Sequence, residues 1–194
     1  MTRAGGADGV GDVQPPFPRQ SAHELGIQRV DNDARLSDEL ASVVGGARRR
    51  AVRDGDRQID TAHLLHSLLE SDPEARAVFG EGPQISRLLG YLVQRSIGYG
   101  LRWQSGVEDS VSVPVVTETA GFSPLAAASM EYACERAAER GGPARGTDLL
   151  AAIVVDPQAR AVEVLERAGI DPREVLARLA GWSGITRECG ETTH

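Results

Sequence analysis

From residue 37 onward the chain settles into helical periodicity. Leu40, Val43, Val44, Ala47 and Ala51 recur at spacings of three and four, which places them on one face of a first helix. Ser37 is a suitable N-cap for it, with Asp38 and Glu39 in the first turn, and Asp54-Gly55 ends it. Asp60 or Thr61 caps a second helix carrying Leu64, Leu65, Leu68 and Leu69. Asp72-Pro73 supplies an N-cap followed by proline at the first helical position, opening a third. The stretch from Gly80 to Pro83 breaks it, and Ser86 begins a fourth helix through Leu88, Leu89, Leu92 and Val93. The period is then lost from 97 to 121, where Gly98, Gly100, Gly106 and Pro114 fall and where Val111, Val113, Val115 and Val116 would suit a short extended segment. It resumes at Ser123-Pro124 with a helix to Arg140, stopped by Gly141-Gly142. Thr147 caps a sixth helix with Leu149, Leu150, Ile153 and Val154; Asp156-Pro157 opens a seventh and Asp171-Pro172 an eighth, and Gly181 onward is a tail.

The pattern contains itself twice. Asp72-Pro73-Glu74-Ala75-Arg76-Ala77-Val78 and Asp156-Pro157-Gln158-Ala159-Arg160-Ala161-Val162 agree at six of seven positions. Leu36-Ser37-Asp38 corresponds to Phe122-Ser123-Pro124, and Thr61 to Thr147, both 86 residues on. Self-similarity at a nearly fixed offset means two copies of one supersecondary module. The predicted fold is therefore all-α: two pseudo-symmetric four-helix repeats packed as one compact eight-helix domain. The boundaries are a flexible arm over 1–34, a double-repeat domain over 35–181 (repeat one 35–96, a connecting loop 97–121, repeat two 122–181) and a tail over 182–194.

Composition narrows the function classes. Hydrophobic residues make up 41% of the 194 but aromatics only 4%, so the core is built from Leu, Val and Ala. A net charge of −7 argues against nucleic acid or an anionic membrane as the main partner. No stretch approaches the roughly 18 consecutive apolar residues of a membrane span, and two cysteines make no disulfide framework. With no apolar run after Met1, a cytoplasmic protein is expected. Residues 1–34, rich in Gly, Pro and Asp around Pro15-Pro16-Phe17-Pro18, cannot bury much apolar area.

Taken in order, these residues resemble the double Clp repeat, the N-terminal domain of ClpC- and ClpA-type unfoldase ATPases. That family opens each repeat with an aromatic-Thr-Pro/Glu turn and starts its second helix with Gly-Thr-Glu-His before leucines. Gly121-Phe122-Ser123-Pro124 matches the opening turn, and Leu36-Ser37-Asp38 matches it more loosely. Asp60-Thr61-Ala62-His63-Leu64-Leu65 and Gly146-Thr147-Asp148-Leu149-Leu150 correspond to the second motif. The resemblance covers about 36–180 and implies a non-catalytic docking domain for substrates and adaptors. No Gly-x-x-x-x-Gly-Lys-Ser/Thr phosphate loop occurs in this chain, so it is similar to the stand-alone members without ATPase modules. The partners implied are Clp protease components, adaptors or substrate peptides, with cyclic-peptide small molecules as a further class, and no cofactor. The alternative is an accessory structural subunit that docks on the Clp proteolytic ring.

The resemblance also marks binding residues. In some members a motif glutamate holds the guanidinium of a phosphorylated arginine, and the phosphate sits at a helix N-terminus, where backbone N–H groups and the helix dipole favour an anion. Here the glutamates are replaced by Ala62 and by Asp148, while the caps Ser37 and Ser123 remain. Phosphoarginine recognition is therefore expected to be lost in repeat one and weakened in repeat two. The ligand-facing set is Ser37, Asp38, Phe122, Ser123, Glu131, Thr147 and Asp148. Phe122 doubles as a hydrophobic staple onto its own helix. His63 and His66 share a helix face but have no evident third ligand, so no metal site is assigned. Arg48, Arg49, Arg50 and Arg53 read as a solvated basic face, and no nucleophile elbow or comparable catalytic arrangement is present.

Overall fold

The computed structural model describes residues 35–80, 82–96 and 121–188. Among them are eight helices and no strand: α1 (Asp38–Asp54), α2 (Thr61–Ser71), α3 (Pro73–Ala77), α4 (Pro83–Ser96), α5 (Pro124–Arg140), α6 (Gly146–Val155), α7 (Arg160–Arg167) and α8 (Pro172–Glu188). The arm over 1–34 and the connection, apart from Gly121, lie outside the described residues.

Capping chemistry sets most of the boundaries. Ser37 accepts a hydrogen bond from Leu40 N at the start of α1, and Ser123 accepts one from Ala126 N at the start of α5, both at 3.2 Å. Each helix ends on a left-handed glycine, Gly55 at φ 73 and Gly141 at φ 77. A side chain there would be strained, which is why glycine closes both long helices. Asp60 caps α2 through His63 N at 2.9 Å.

Burial follows the periodicity. α1 buries Leu40, Val43, Ala47 and Ala51, and α5 buries Ala126, Ser129, Ala133 and Ala137. The alanines and Ser129 among them let the long helices lie close on α2 and α6, with which they pack most extensively. The two short central helices are buried nearly all round: every residue from Thr61 to Leu69, and Asp148 to Val154. A helix buried on all sides belongs in the middle of a domain. α2 touches α7 and α3 touches α6, so each repeat lends a central helix to the other's core.

Four expectations need correction. Thr147 does not cap α6, which begins at Gly146 with Arg145 in the cap position, because Asp148 accepts from Arg145 N. Helix α4 begins at Pro83, not Ser86, because proline is well placed in a first helical turn. Helix α8 continues through Gly181 to Glu188, past the boundary at which a tail was placed. Asp156-Pro157 does not open α7. Asp156 Oδ1 accepts from Gln158 N at 2.8 Å, making a local turn, and the helix starts at Arg160.

Candidate functional site

The openings of the two long helices are held by reciprocal bridges between repeats. Ser37 N donates to Ala144 O at 2.9 Å and Ala144 N to Arg35 O at 2.8 Å. In the mirrored arrangement Ser123 N donates to Ile59 O at 2.9 Å and Ile59 N to Gly121 O at 3.3 Å. Leu36 thus pairs with Ala144, and Phe122 with Ile59. The opening of each long helix sits against the segment that leads into the other repeat's central helix.

This pairing fixes the register of the repeats and moves one correspondence. Leu36 and Phe122 remain equivalent, but Ile59 now matches Ala144, so Asp60 matches Arg145 and His63 matches Asp148. The capping boxes agree: the side chain of His63 accepts from Asp60 N at 3.2 Å, and that of Asp148 from Arg145 N at 3.0 Å. Asp148 therefore stands at the place of His63 rather than of Ala62, and Thr61 matches Gly146 rather than Thr147. The loop before α6 is one residue shorter than the loop before α2, which the sequence alignment passed over.

The register gives the predicted residues their places. Ser123 is buried and Ser37 half-buried, each engaged as a cap. Asp38 is exposed in the first turn of α1. Phe122 is half-buried and packs against the core, as does Leu36, and Gln58 Nε2 donates to Phe122 O at 3.2 Å. Glu131 is exposed, about two turns along α5 from Ser123. Thr147 is half-buried. Asp148 is buried, and its two carboxylate oxygens each accept from Arg140, Nη1 and Nη2, at 2.8 Å. Its carboxylate is committed to this internal fork. The same contact raises the Arg140 guanidinium above its ordinary pKa. Ala62 is completely buried, so position 62 faces the core.

The N-terminus of α1 already carries a carboxylate. Glu39 is held below the usual carboxylate range by its own backbone N–H, then by the Ser37 hydroxyl and the field of Arg145. An incoming anion would compete with it. The start of α5 begins instead with Pro124, Leu125 and Ala126, with no acid in the first turn. Of the residues that build the site, Gln58, Arg140 and Arg145 were missed by sequence reasoning. The available signal was weak: a basic residue in the last turn of α5, eight positions before an aspartate.

Elsewhere, burial pushes the Cys134 thiol above its ordinary value, the direction opposite to activation. Among the described residues no helix is long and apolar enough to cross a membrane.

No family model matches the chain, and no curated protein does. Solved structures do. The N-terminal domain of the caseinolytic protease associated chaperone ClpD from Arabidopsis thaliana superposes with a TM-score of 0.57 at 19% identity, over 77% of this chain and 95% of that one. A structure from a malarial protein secretion system gives 0.55 at 13% identity, over 75% and 92%. With the reciprocal bridges and the paired four-helix units, these similarities show that the chain has the fold of the N-terminal domain of Clp chaperones.

Proposed function

We propose that this chain is a non-catalytic docking module that binds peptides, adaptors or peptide-like ligands and modulates Clp-dependent proteolysis. The observation that carries the reading is the pair of half-exposed apolar side chains, Leu36 and Phe122, at equivalent helix openings. Each is backed by a buried or half-buried serine cap and anchored by backbone bridges from the other repeat. A rigid edge with an aromatic anchor is the kind of surface on which binding energy concentrates. Ser37, Ser123 and Asp148 are committed to caps and to Arg140, while Asp38 and Glu131 stay at the surface. Recognition then rests on apolar contact and helix-end N–H groups rather than on a charged pocket.

Phosphoarginine fits poorly. Position 62 is interior, its match in repeat two is the uncharged Thr147, Asp148 is tied to Arg140, and Glu39 occupies the start of α1. Peptide-like ligands that use Phe122 are favoured.

The test is a reconstituted unfoldase–protease reaction on an unfolded fluorescent substrate. Added wild-type chain should change the degradation rate in proportion to dose. Phe122→Ala should lose about tenfold in potency, of the order expected for truncating an anchor residue, while keeping its helical circular-dichroism spectrum. No effect of the wild type on rate, together with no binding to substrate or adaptor, overturns the reading. Direct binding to the proteolytic ring without unfoldase would favour an accessory subunit instead.

A further inference from the structure

The two long helices are equivalent in position and opposite in surface charge. Both run for 17 residues between a serine cap and a left-handed glycine, so each position of α1 matches the position of α5 86 residues on. On the outward face of α1 stand Arg49 and Arg53; at the matching places on α5 stand Glu135 and Glu139. All four residues are exposed, Arg53 over 60% of its side chain. In each helix the two charges are one turn apart, about 6 Å along the axis. Among the described residues no ion pair engages Arg49, Glu135 or Glu139, while Arg53 Nε lies 3.2 Å from the neighbouring Asp54. Other arginines of these helices turn to partners within the chain, Arg50 to Glu70 and both Arg136 and Arg140 to Asp148, so each outward face keeps its own sign.

We propose that these faces bind each other between molecules: the basic face of α1 docks on the acidic face of α5 in a second copy of this chain. Charge complementarity carries the assignment. A foreign acidic partner would account for Arg49 and Arg53 and leave Glu135 and Glu139 without a role; a second copy accounts for all four. The net charge of −7 repels copies at a distance. At physiological salt, however, that field is screened beyond about 8 Å, while pairs partly buried in a contact are screened much less.

The faces also complement each other in size. Two of the four exposed large apolar side chains among the described residues lie on these helices, Val52 on α1 at 58% and Tyr132 on α5 at 45%. The position of α1 that matches Tyr132 is Gly46, preceded by Gly45. A Cβ on Gly46 would come within 3.1 Å of Ser67 Oγ, so close packing with α2 accounts for that glycine. A Cβ on Gly45 would meet only Arg49 Nη1, at 3.4 Å, so the interior does not require glycine there. Glycine inside a helix is unfavourable; here the pair leaves a hollow on α1 in which a tyrosine ring can lie. With α5 of the second copy parallel to α1 and Tyr132 over the glycines, matching positions are in register. Glu135 then comes opposite Arg49 and Glu139 opposite Arg53.

The inference does not depend on the proposed docking role. It is tested by light scattering and sedimentation of the full chain over a range of concentrations. A contact between two helix faces is small, so the wild type should be a 20.6 kDa monomer when dilute and gain mass with a dissociation constant of about 10–100 µM. Arg49→Glu with Arg53→Glu makes both faces acidic; Glu135→Arg with Glu139→Arg makes both basic. Each double variant alone should keep its helical circular-dichroism spectrum and self-associate about tenfold more weakly or less. Mixed, the two variants should associate again, acidic face on basic. A wild type of monomer mass throughout would overturn the proposal and leave the basic face to a foreign acidic protein. Self-association of either double variant at wild-type strength would overturn it too, as would a mixture that stays monomeric.

Discussion

His63 and Asp148 occupy the same turn of equivalent helices, and each closes a capping box by accepting from the backbone N–H three residues earlier. What differs is the charge they meet: Asp54 and Asp56 for the one, Arg140 for the other. Replacing Asp148 by Asn should weaken the fork to Arg140. Because that guanidinium is 39% exposed and can be rehydrated, the cost should be about 1 kcal/mol, read as a lowered midpoint in urea. Gly146 is a harder constraint. A Cβ there would fall 1.8 Å from Asp72 Oδ2 and 2.9 Å from Leu68 Cδ2. Asp72 cannot simply swing aside, since its Oδ1 accepts from Ala75 N at 2.9 Å. Gly146→Ala should therefore destabilise by about 1–3 kcal/mol. A melting temperature equal to wild type would mean that the two segments separate without cost. His66 is also buried, and its pKa is lowered to about 4, chiefly by desolvation and then by the charge of Arg50; Glu70, 3.2 Å away, opposes this. A depressed value means that the unfolded chain takes up the proton first. Stability should thus fall as pH drops from about 6.5 toward 4. Denaturant titrations across that window should show a shallower decline for His66→Gln.

The seven-residue segment shared by the repeats shows how far an element is decided by its sequence. In repeat one it is helical from its first proline, and Asp72 caps it. In repeat two the helix starts three residues later, at Arg160. The local sequences differ only at Glu74 against Gln158, which does not account for the change. The surroundings do. Thr61 Oγ1 accepts from Ala161 N at 3.1 Å and Asp60 binds Arg160, which together fix the start of α7. At the matching places in repeat two stand Gly146 and Arg145, which offer α3 no side-chain acceptor, so Asp72 supplies its cap unaided. Thr61→Val keeps the shape and removes the acceptor. It leaves Ala161 N without that partner, and it should cost about 1–3 kcal/mol and raise amide exchange at the start of α7 more than at α3. Equal protection in both would refute this account.

Across the whole molecule the two repeats are bound by polar contacts as well as by the shared core. Arg178 donates to Val78 O and Phe79 O, both at 3.2 Å, and Arg87 donates to Ala168 O at 3.3 Å. The buried pair Asp60–Arg160 joins α2 to α7. Breaking it by Arg160→Met leaves a buried carboxylate without that counter-charge and should cost about 3–5 kcal/mol, measured by chemical denaturation. Repeat one expressed alone, through residue 96, should lack a cooperative unfolding transition. It would expose the faces of Leu64 and Leu68 that the whole chain buries completely. A sharp transition of full-length stability in that fragment would show that the repeats fold independently.

The all-α class, the doubled four-helix plan and the two serine caps were legible in the sequence, because they follow from residue spacing and from local hydrogen bonding within a few positions. So was most of each apolar face, since burial on a helix obeys its period; Val93 is an exception, exposed at the end of α4. What the tertiary structure decided are pairings at long range. The one-residue shift that aligns Asp148 with His63 is set by bridges between segments more than sixty residues apart. The commitment of Asp148 to Arg140 depends on how α5 lies against α6, and the meeting of His63 with Asp56 depends on a left-handed turn at Gly55. Helical periodicity reports which side of a helix faces inward; it carries no information about which charge waits there.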